Sequence, residues 1–380
     1  MRKSLTALTA FGLLAACSPE PAPAPDKAKT DTIASQIATE RPTLSLPAFP
    51  NWAKLEIGTS DNISFDIKYP TKSPYDFTRV LTGYTSLPTH GGKATLILPE
   101  ATTQDNPVPA MVILHGSGGI KEGREFEYAK LFAANGIAAF IVDYYSPRGV
   151  TDATPYVMKT MAATEVDVIS DAYNALNFLN RNSYIDPKRI GVTGYSYGGM
   201  GTRYVLDQRI KDIMAPDVPP FALHMDIYGP CHQDTGSWQT TGAPYLAIYG
   251  DNDNSVEPAA CAKVQEQLRD GGSEVTAHIM PGAGHAWEND EPLTEFGGAY
   301  VRGCNFSWDK DTGVFLVDGQ AGEFQPAPDM TREERAAVRA SLGSLAGKCV
   351  SQGYIVGSNP ETDKKSKIIQ LEFMKRVFGL

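Results

Sequence analysis

Short apolar runs, recurring between stretches of helical pattern, constrain this chain more than anything else in it. They read "VPAMVILHG", "GIAAFIVDYY", "DPKRIGVTGYS", "FALHMDIYG", "APYLAIYG" and "SEVTAHIMPG". A continuous run without polar alternation belongs to a strand buried on both faces. Between the runs, "EFEYAKLFAANG" places Phe126, Leu131 and Phe132 at helical spacing and stops at Gly136. "YVMKTMAATEVDVISDAYNALNFLNRN" carries Val166, Ile169, Ala172, Tyr173, Leu176 and Leu179 on one stripe and reads as a single long helix. Further helical patterns run from Met200 towards Asp207, through "PAACAKVQEQLRDGG", and through the closing "DKKSKIIQLEFMKRVFG". Strands and helices that alternate in this way build a mostly parallel sheet with helices on both faces. Three β-like pieces, "WAKLEIG", "NISFDIKYP" and "KATLILPE", precede the alternation and predict an antiparallel start. Residues 289–352 break the rhythm, being polar, Gly-rich and provided with two cysteines, and read as an insertion near the C-terminal edge of the sheet.

The N-terminus carries an address. Arg2 and Lys3 precede an apolar stretch at residues 5–16, too short to span a bilayer comfortably and suited to a signal h-region. It ends in Leu14-Ala15-Ala16-Cys17, which resembles a bacterial lipobox, in which the cysteine is lipidated and becomes the mature N-terminus. The "SPEPAPAPDKAKTDTIASQ" that follows alternates Pro and Ala and cannot bury a core. The expected organisation is a signal peptide at 1–16, a tether at 17–45 and one globular domain at 46–380 that contains the insertion. The chain is thus expected to be an exported lipoprotein, membrane-anchored through Cys17 and facing the periplasm or cell surface. Its net charge is −10 and it has no basic block, which argues against nucleic acid as a partner. With Cys17 lipidated, Cys231, Cys261, Cys304 and Cys349 remain, and an oxidising compartment allows two disulfides in three connectivities. The pairing expected is Cys231–Cys261 with Cys304–Cys349, the latter stapling a loop-rich C-terminal segment. No CxxC spacing and no paired histidines accompany these cysteines, so no metal site is expected.

In sheets of this class the active crevice lies outside the C-terminal strand ends. One run leads into Gly194-Tyr195-Ser196-Tyr197-Gly198, a serine flanked by glycines between a strand and a helix. That is the context a nucleophile on a sharp turn requires, since side chains at the flanks would clash. Another ends in His115-Gly116-Ser117-Gly118-Gly119, a turn whose main-chain N–H groups can face a developing oxyanion, with the Tyr197 N–H as second donor. His115 itself reads as structural. No Lys-Ser/Thr and no GxGxxG follows, so phosphate binding is excluded. A third leads into "GDNDNSV", where Asp251 and Asp253 both have the placement of an acid that orients a histidine. The last leads into "PGAGHAW", where His285 sits on a Gly-rich turn as candidate general base. Among the other histidines, His224 and His278 read as core or face positions, and His232 is the rival.

These motifs together make the chain resemble an α/β hydrolase, and more narrowly the dienelactone hydrolase family, over about residues 107–380. The carrying residues are "VILHGSGG", "IAAFIVDYYSPRG", "GVTGYSYGG", "GDNDNSVEPAAC" and "PGAGHAW". The resemblance implies the order Ser196, Asp253, His285, with Asp253 as the acid because the family's acid lies three residues after the strand-end glycine. It also implies the Ser117 and Tyr197 N–H groups as oxyanion donors, and it suggests the Cys231–Cys261 pair. Founding members use a cysteine nucleophile where this chain has Ser196, which favours a general carboxylic ester, or a lactone, over dienelactone. No cofactor is expected. Arg148 follows a strand end and reads as a structural arginine, with contact to a substrate carboxylate as the alternative. Two other readings are a peptidase of the prolyl-oligopeptidase type, which shares the triad order, and a tethered protein that only binds a ligand. The second predicts a broken triad.

Overall fold

Each apolar run becomes a strand of one nine-stranded sheet. The structure is a computed structural model that describes residues 41–49, 58–59, 64–237 and 239–380. The signal stretch, Cys17, most of the tether and most of "WAKLEIG" lie outside the described residues. The strands are β1 (Gly58–Thr59), β2 (Ser64–Thr71), β3 (His90–Ile97), β4 (Val108–Leu114), β5 (Ala138–Asp143), β6 (Ile185–Tyr195), β7 (His224–Ile227), β8 (Gln233–Asp234), β9 (Tyr245–Gly250) and β10 (Val275–Met280). All but β8 join the main sheet, in the order β1-β2-β3-β5-β4-β6-β7-β9-β10. β1, β2 and β3 pair antiparallel, and β3 pairs antiparallel with β5. From β5 to β10 every pair is parallel. The chain moves from β4 to β5 on one side and then crosses to β6 on the other, so the strand order reverses at β4. A crevice opens at the C-terminal ends there.

Successive side chains of β4 serve two cores. Ala110, Val112 and Leu114 pack in one hydrophobic cluster, and Met111 and Ile113 in the other. That is why the run needs no polar alternation. The faces are covered by helices that include α1 (Phe77–Gly83), α2 (Glu127–Ala134), α3 (Tyr156–Ala162), α4 (Glu165–Leu179), α5 (Tyr197–Tyr204), α6 (Gln208–Met214), α7 (Pro258–Asp270), α8 (Arg332–Ser341) and α9 (Pro360–Phe378). None among the described residues is long and apolar enough to cross a membrane. The single long helix expected across 156–179 is two helices. Thr164 leaves helical geometry and caps α4, its hydroxyl accepting from the Asp167 N–H while the Asp167 carboxylate accepts from the Thr164 N–H. A capping box of this kind satisfies two otherwise orphaned donors and starts a new helix axis.

Residues 289–352 are more ordered than their composition predicts. They contain β11 (Thr294–Val301), β12 (Phe306–Trp308), β13 (Phe315–Val317), β14 (Gln320–Ala321) and α8, and they run into β15 (Val350–Val356). β11 pairs antiparallel with β15, and β12, β13 and β14 join β8 in a second small sheet. Cys304 is bonded to Cys349 and Cys231 to Cys261.

Candidate active site

Ser196 stands between β6 and α5 with φ 54° and ψ −115°, a conformation a non-glycine residue holds only when its surroundings enforce it. The glycines on either side make that turn possible. A Cβ at Gly194 would strike the Gly198 carbonyl, and one at Gly198 would strike the Leu114 carbonyl at the end of β4. The turn is pinned by the Ser196 N–H, which donates to the Ile227 carbonyl at 2.9 Å.

His285 follows β10 and faces the serine, its Nε2 2.8 Å from Ser196 Oγ. Its Nδ1 lies 2.6 Å from Asp253 Oδ2. Asp253 is buried after β9, and its other oxygen accepts from the Ser255 hydroxyl at 2.6 Å and the Ser255 N–H at 3.0 Å. With one oxygen held by Ser255, the carboxylate presents the other to the imidazole. Asp251 points elsewhere, accepting from the Gly282 N–H at 2.6 Å and so bracing the turn that carries His285.

The turn after β4 is held by groups the motif does not contain. Tyr144 Oη donates to the His115 carbonyl at 2.5 Å and Tyr145 Oη to the Ser117 carbonyl at 2.9 Å. With these carbonyls tied back, the turn is fixed beside the nucleophile, and a Cβ at Gly116 would lie 3.5 Å from Ser196 Cβ. Ser117 and Tyr197 both line the cleft over Ser196. Tyr197 is the first residue of α5, where an N–H has no helical acceptor. His115 is fully buried, with Nδ1 2.7 Å from the Gly116 carbonyl and its ring stacked on Tyr144 at 3.6 Å. Burial pushes its pKa down to about 4, so it is a neutral structural ring.

His232 lies in the cleft wall with its ring edge-on to Phe306, and burial lowers its pKa to about 4. Its place is the wall, away from the Ser196–His285 bond. His224 is buried in β7 with Nδ1 2.8 Å from the Thr202 carbonyl, and His278 is a half-buried residue on β10. Arg148 is buried, donating to Asp171 at 2.6 and 3.1 Å and to the Tyr144 carbonyl at 2.8 Å, which makes it structural. Among the described residues no cluster of three or more His, Cys, Asp or Glu is arranged to hold a metal ion.

The cleft has a volume of about 260 Å³ and is walled by aromatic side chains, Tyr156 and Tyr197 from α3 and α5 and Tyr300, Phe306, Phe315 and Tyr354 from the chain after residue 289. Sequence reasoning missed several residues here. Ser255, two residues after Asp253, was visible within "DNDNSV", and the tyrosine pair was visible in "VDYY". Glu165 and Arg339, which also line the cleft, carried no local signal, because they stand 174 positions apart and only the fold brings them together.

A profile of the dienelactone hydrolase family matches residues 94–300. The chain belongs to the dienelactone hydrolase family. It is therefore a carboxylic ester hydrolase. It is similar to a candidate carboxymethylenebutenolidase of Escherichia coli (strain K12), 23% identical over 226 residues, which covers 56% of this chain and 79% of that protein. It is also similar to the protein usf of Aquifex pyrophilus, 23% identical over 212 residues, covering 55% of this chain and 82% of that protein. Among solved structures, a dienelactone hydrolase-like promiscuous phosphotriesterase, P91, from metagenomic libraries aligns with a TM-score of 0.46 at 15% identity, over 76% of this chain and all (100%) of that one.

Proposed function

We propose that this protein is a serine esterase that cleaves carboxylic esters or lactones through an acyl-enzyme on Ser196. The observation that carries the reading is the unbroken hydrogen-bond chain Ser196 Oγ–His285–Asp253 at 2.8 and 2.6 Å, set on a strained turn. Ser196 Oγ attacks the ester carbonyl carbon while His285 Nε2 takes the hydroxyl proton. The carbonyl oxygen becomes an oxyanion and accepts from the Ser117 and Tyr197 N–H groups. The tetrahedral intermediate collapses, the C–O bond to the alcohol breaks, and His285 returns the proton to the leaving oxygen. Water then attacks the acyl-enzyme, giving its proton to His285. Collapse releases the acid and restores the serine hydroxyl. Asp253 holds His285 in the tautomer that presents Nε2 and stabilises the imidazolium. None of these steps calls on a cofactor. Replacing Ser196 with Ala is expected to abolish turnover of 4-nitrophenyl acetate and labelling by a fluorophosphonate probe, and retention of either would sink the assignment.

The same reading places the enzyme outside the cytoplasm, lipid-anchored at Cys17. The basic start, the apolar stretch and the lipobox support it, as do two disulfides of the kind that persist in oxidising compartments. Cys17→Ala should move the protein from the membrane to the soluble fraction, and an unchanged distribution would refute the anchor.

A further inference from the structure

Glu165 and Arg339 are the permanently charged residues among those that line the cleft. Arg339 donates from Nη1 to Glu165 Oε1 at 2.9 Å and from Nη2 to Oε2 at 2.7 Å, a two-pronged pairing that occupies both carboxylate oxygens. Glu165 is buried at the start of α4, while the Arg339 side chain is 29% exposed. The pair lies one tyrosine away from the chemistry, since Tyr197 Oη donates to Glu165 Oε2 at 3.3 Å. Burial opposes ionisation of Glu165, but the Arg339 guanidinium overrides it and keeps the carboxyl below its usual range. The one arginine in the wall is thus neutralised where it stands. Arg148, the other candidate for an anion, is buried against Asp171.

An ester carrying a carboxylate would shed water on entering this cleft and, among the described residues that line it, would meet no uncommitted cation to replace that water. An uncharged ester loses nothing comparable and gains the aromatic walls. We propose that the Glu165–Arg339 pair sets the charge selectivity of the cleft, admitting uncharged esters with an aliphatic or aromatic body and rejecting esters that bear a carboxylate. This rests on the reading of Ser196 as the nucleophile. The pair acts by cancelling Arg339, so freeing Arg339 should weaken the selectivity.

Two substrates isolate the charge. 4-Nitrophenyl valerate and mono-4-nitrophenyl glutarate release the same phenolate and differ by a carboxylate in place of a terminal methyl group. With each normalised to its uncatalysed hydrolysis, the wild type is expected to favour the valerate by about 100-fold in kcat/KM. Glu165→Gln frees the guanidinium and should narrow that ratio by about tenfold, while Arg339→Gln leaves the carboxylate uncompensated and should widen it. A wild-type ratio near one overturns the proposal without any variant, so misfolding of a variant does not protect it. A folded Glu165→Gln protein with an unchanged ratio overturns it as well. Absence of hydrolysis of both esters by the wild type would instead strike the Ser196 reading and take this proposal with it.

Discussion

Asp251 and Asp253 stand two residues apart after β9, and their contacts divide the work between them. Asp253 faces the imidazole and Asp251 holds the Gly282 N–H below it. Asp253→Asn keeps the shape but removes the charge and offers an amide N–H to a nitrogen that must itself donate. It should lower kcat for 4-nitrophenyl acetate by about 10³–10⁴-fold. Asp251→Asn should cost less than about tenfold, because its loss loosens a turn without altering the tautomer. Equal losses would mean that the acid has been misassigned. Placement at strand ends singles out Ser196, His285 and the pair of aspartates as candidates, since a parallel sheet collects those ends in one crevice. The choice between the aspartates rested on the family resemblance, because backbone spacing does not reveal which carboxylate is held by Ser255. Tyr144 and Tyr145 were hidden for a similar reason. A strand that ends in tyrosines looks like a core strand until their hydroxyls are seen tying back the His115 and Ser117 carbonyls.

β15 has no counterpart in the alternating pattern, yet it braces both loops of the candidate triad. The His285 N–H donates to the Ile355 carbonyl at 2.7 Å, and the Gly357 N–H donates to the His285 carbonyl at 3.1 Å. Between Asp253 and Ser255, Asn254 donates from Nδ2 to the Gly353 carbonyl at 2.9 Å and accepts the Ile355 N–H at 2.9 Å. One side-chain amide thus docks the acid loop on the strand that also carries the histidine loop. A misplacement of these loops would be felt in the chemical step more than in substrate binding. Asn254→Ala is therefore expected to lower kcat for 4-nitrophenyl acetate by about 10–100-fold with KM changed less than about threefold. A variant that raised KM and left kcat intact would show that the contact serves the cleft wall instead. In the sequence, residues 289–352 read as a polar, Gly-rich insertion because short strands with many glycines lack a period long enough to register. The break between α3 and α4 was missed because no glycine or proline interrupts residues 156–179, although Thr164 and Asp167 spell out the cap.

At the scale of the whole molecule, one face of α8 ties the chain after residue 289 to α4 and to the start of α1, beside the contacts made by β12, β15 and α9. Arg332, Arg335 and Arg339 recur three and four residues apart, so they share a side of the helix. Arg332 pairs with Asp167 at 2.8 Å, Arg335 with Asp76 at 2.6 Å and Arg339 with Glu165 at 2.7 Å. In the sequence these arginines look like an ordinary solvated helix face, and only their acidic partners, far away in the chain, give them a docking role. Two of those partners make the attachment sensitive to acid. Burial opposes the ionisation of Asp167, but Arg332 and Arg148 overcome it and bring its carboxyl down to about 2, and Glu165 is likewise held low. A carboxyl whose pKa falls on folding stabilises the fold above its unfolded value, near 4, and loses that contribution as pH drops through the folded value. For Asp167 the contribution is about 2 kcal/mol, present at neutral pH and withdrawn between roughly pH 4 and pH 2. The melting temperature should accordingly fall across that window. Asp167→Asn should lower it at pH 7, where the wild type has the full contribution, and should flatten its decline below pH 4, where the wild type is losing what the variant never had. Hydrogen exchange should show protection lost in α8 before it is lost in β4 and β6, because the helix depends on these pairs and the sheet does not. Parallel acid profiles for wild type and variant would show that Asp167 does not fasten α8.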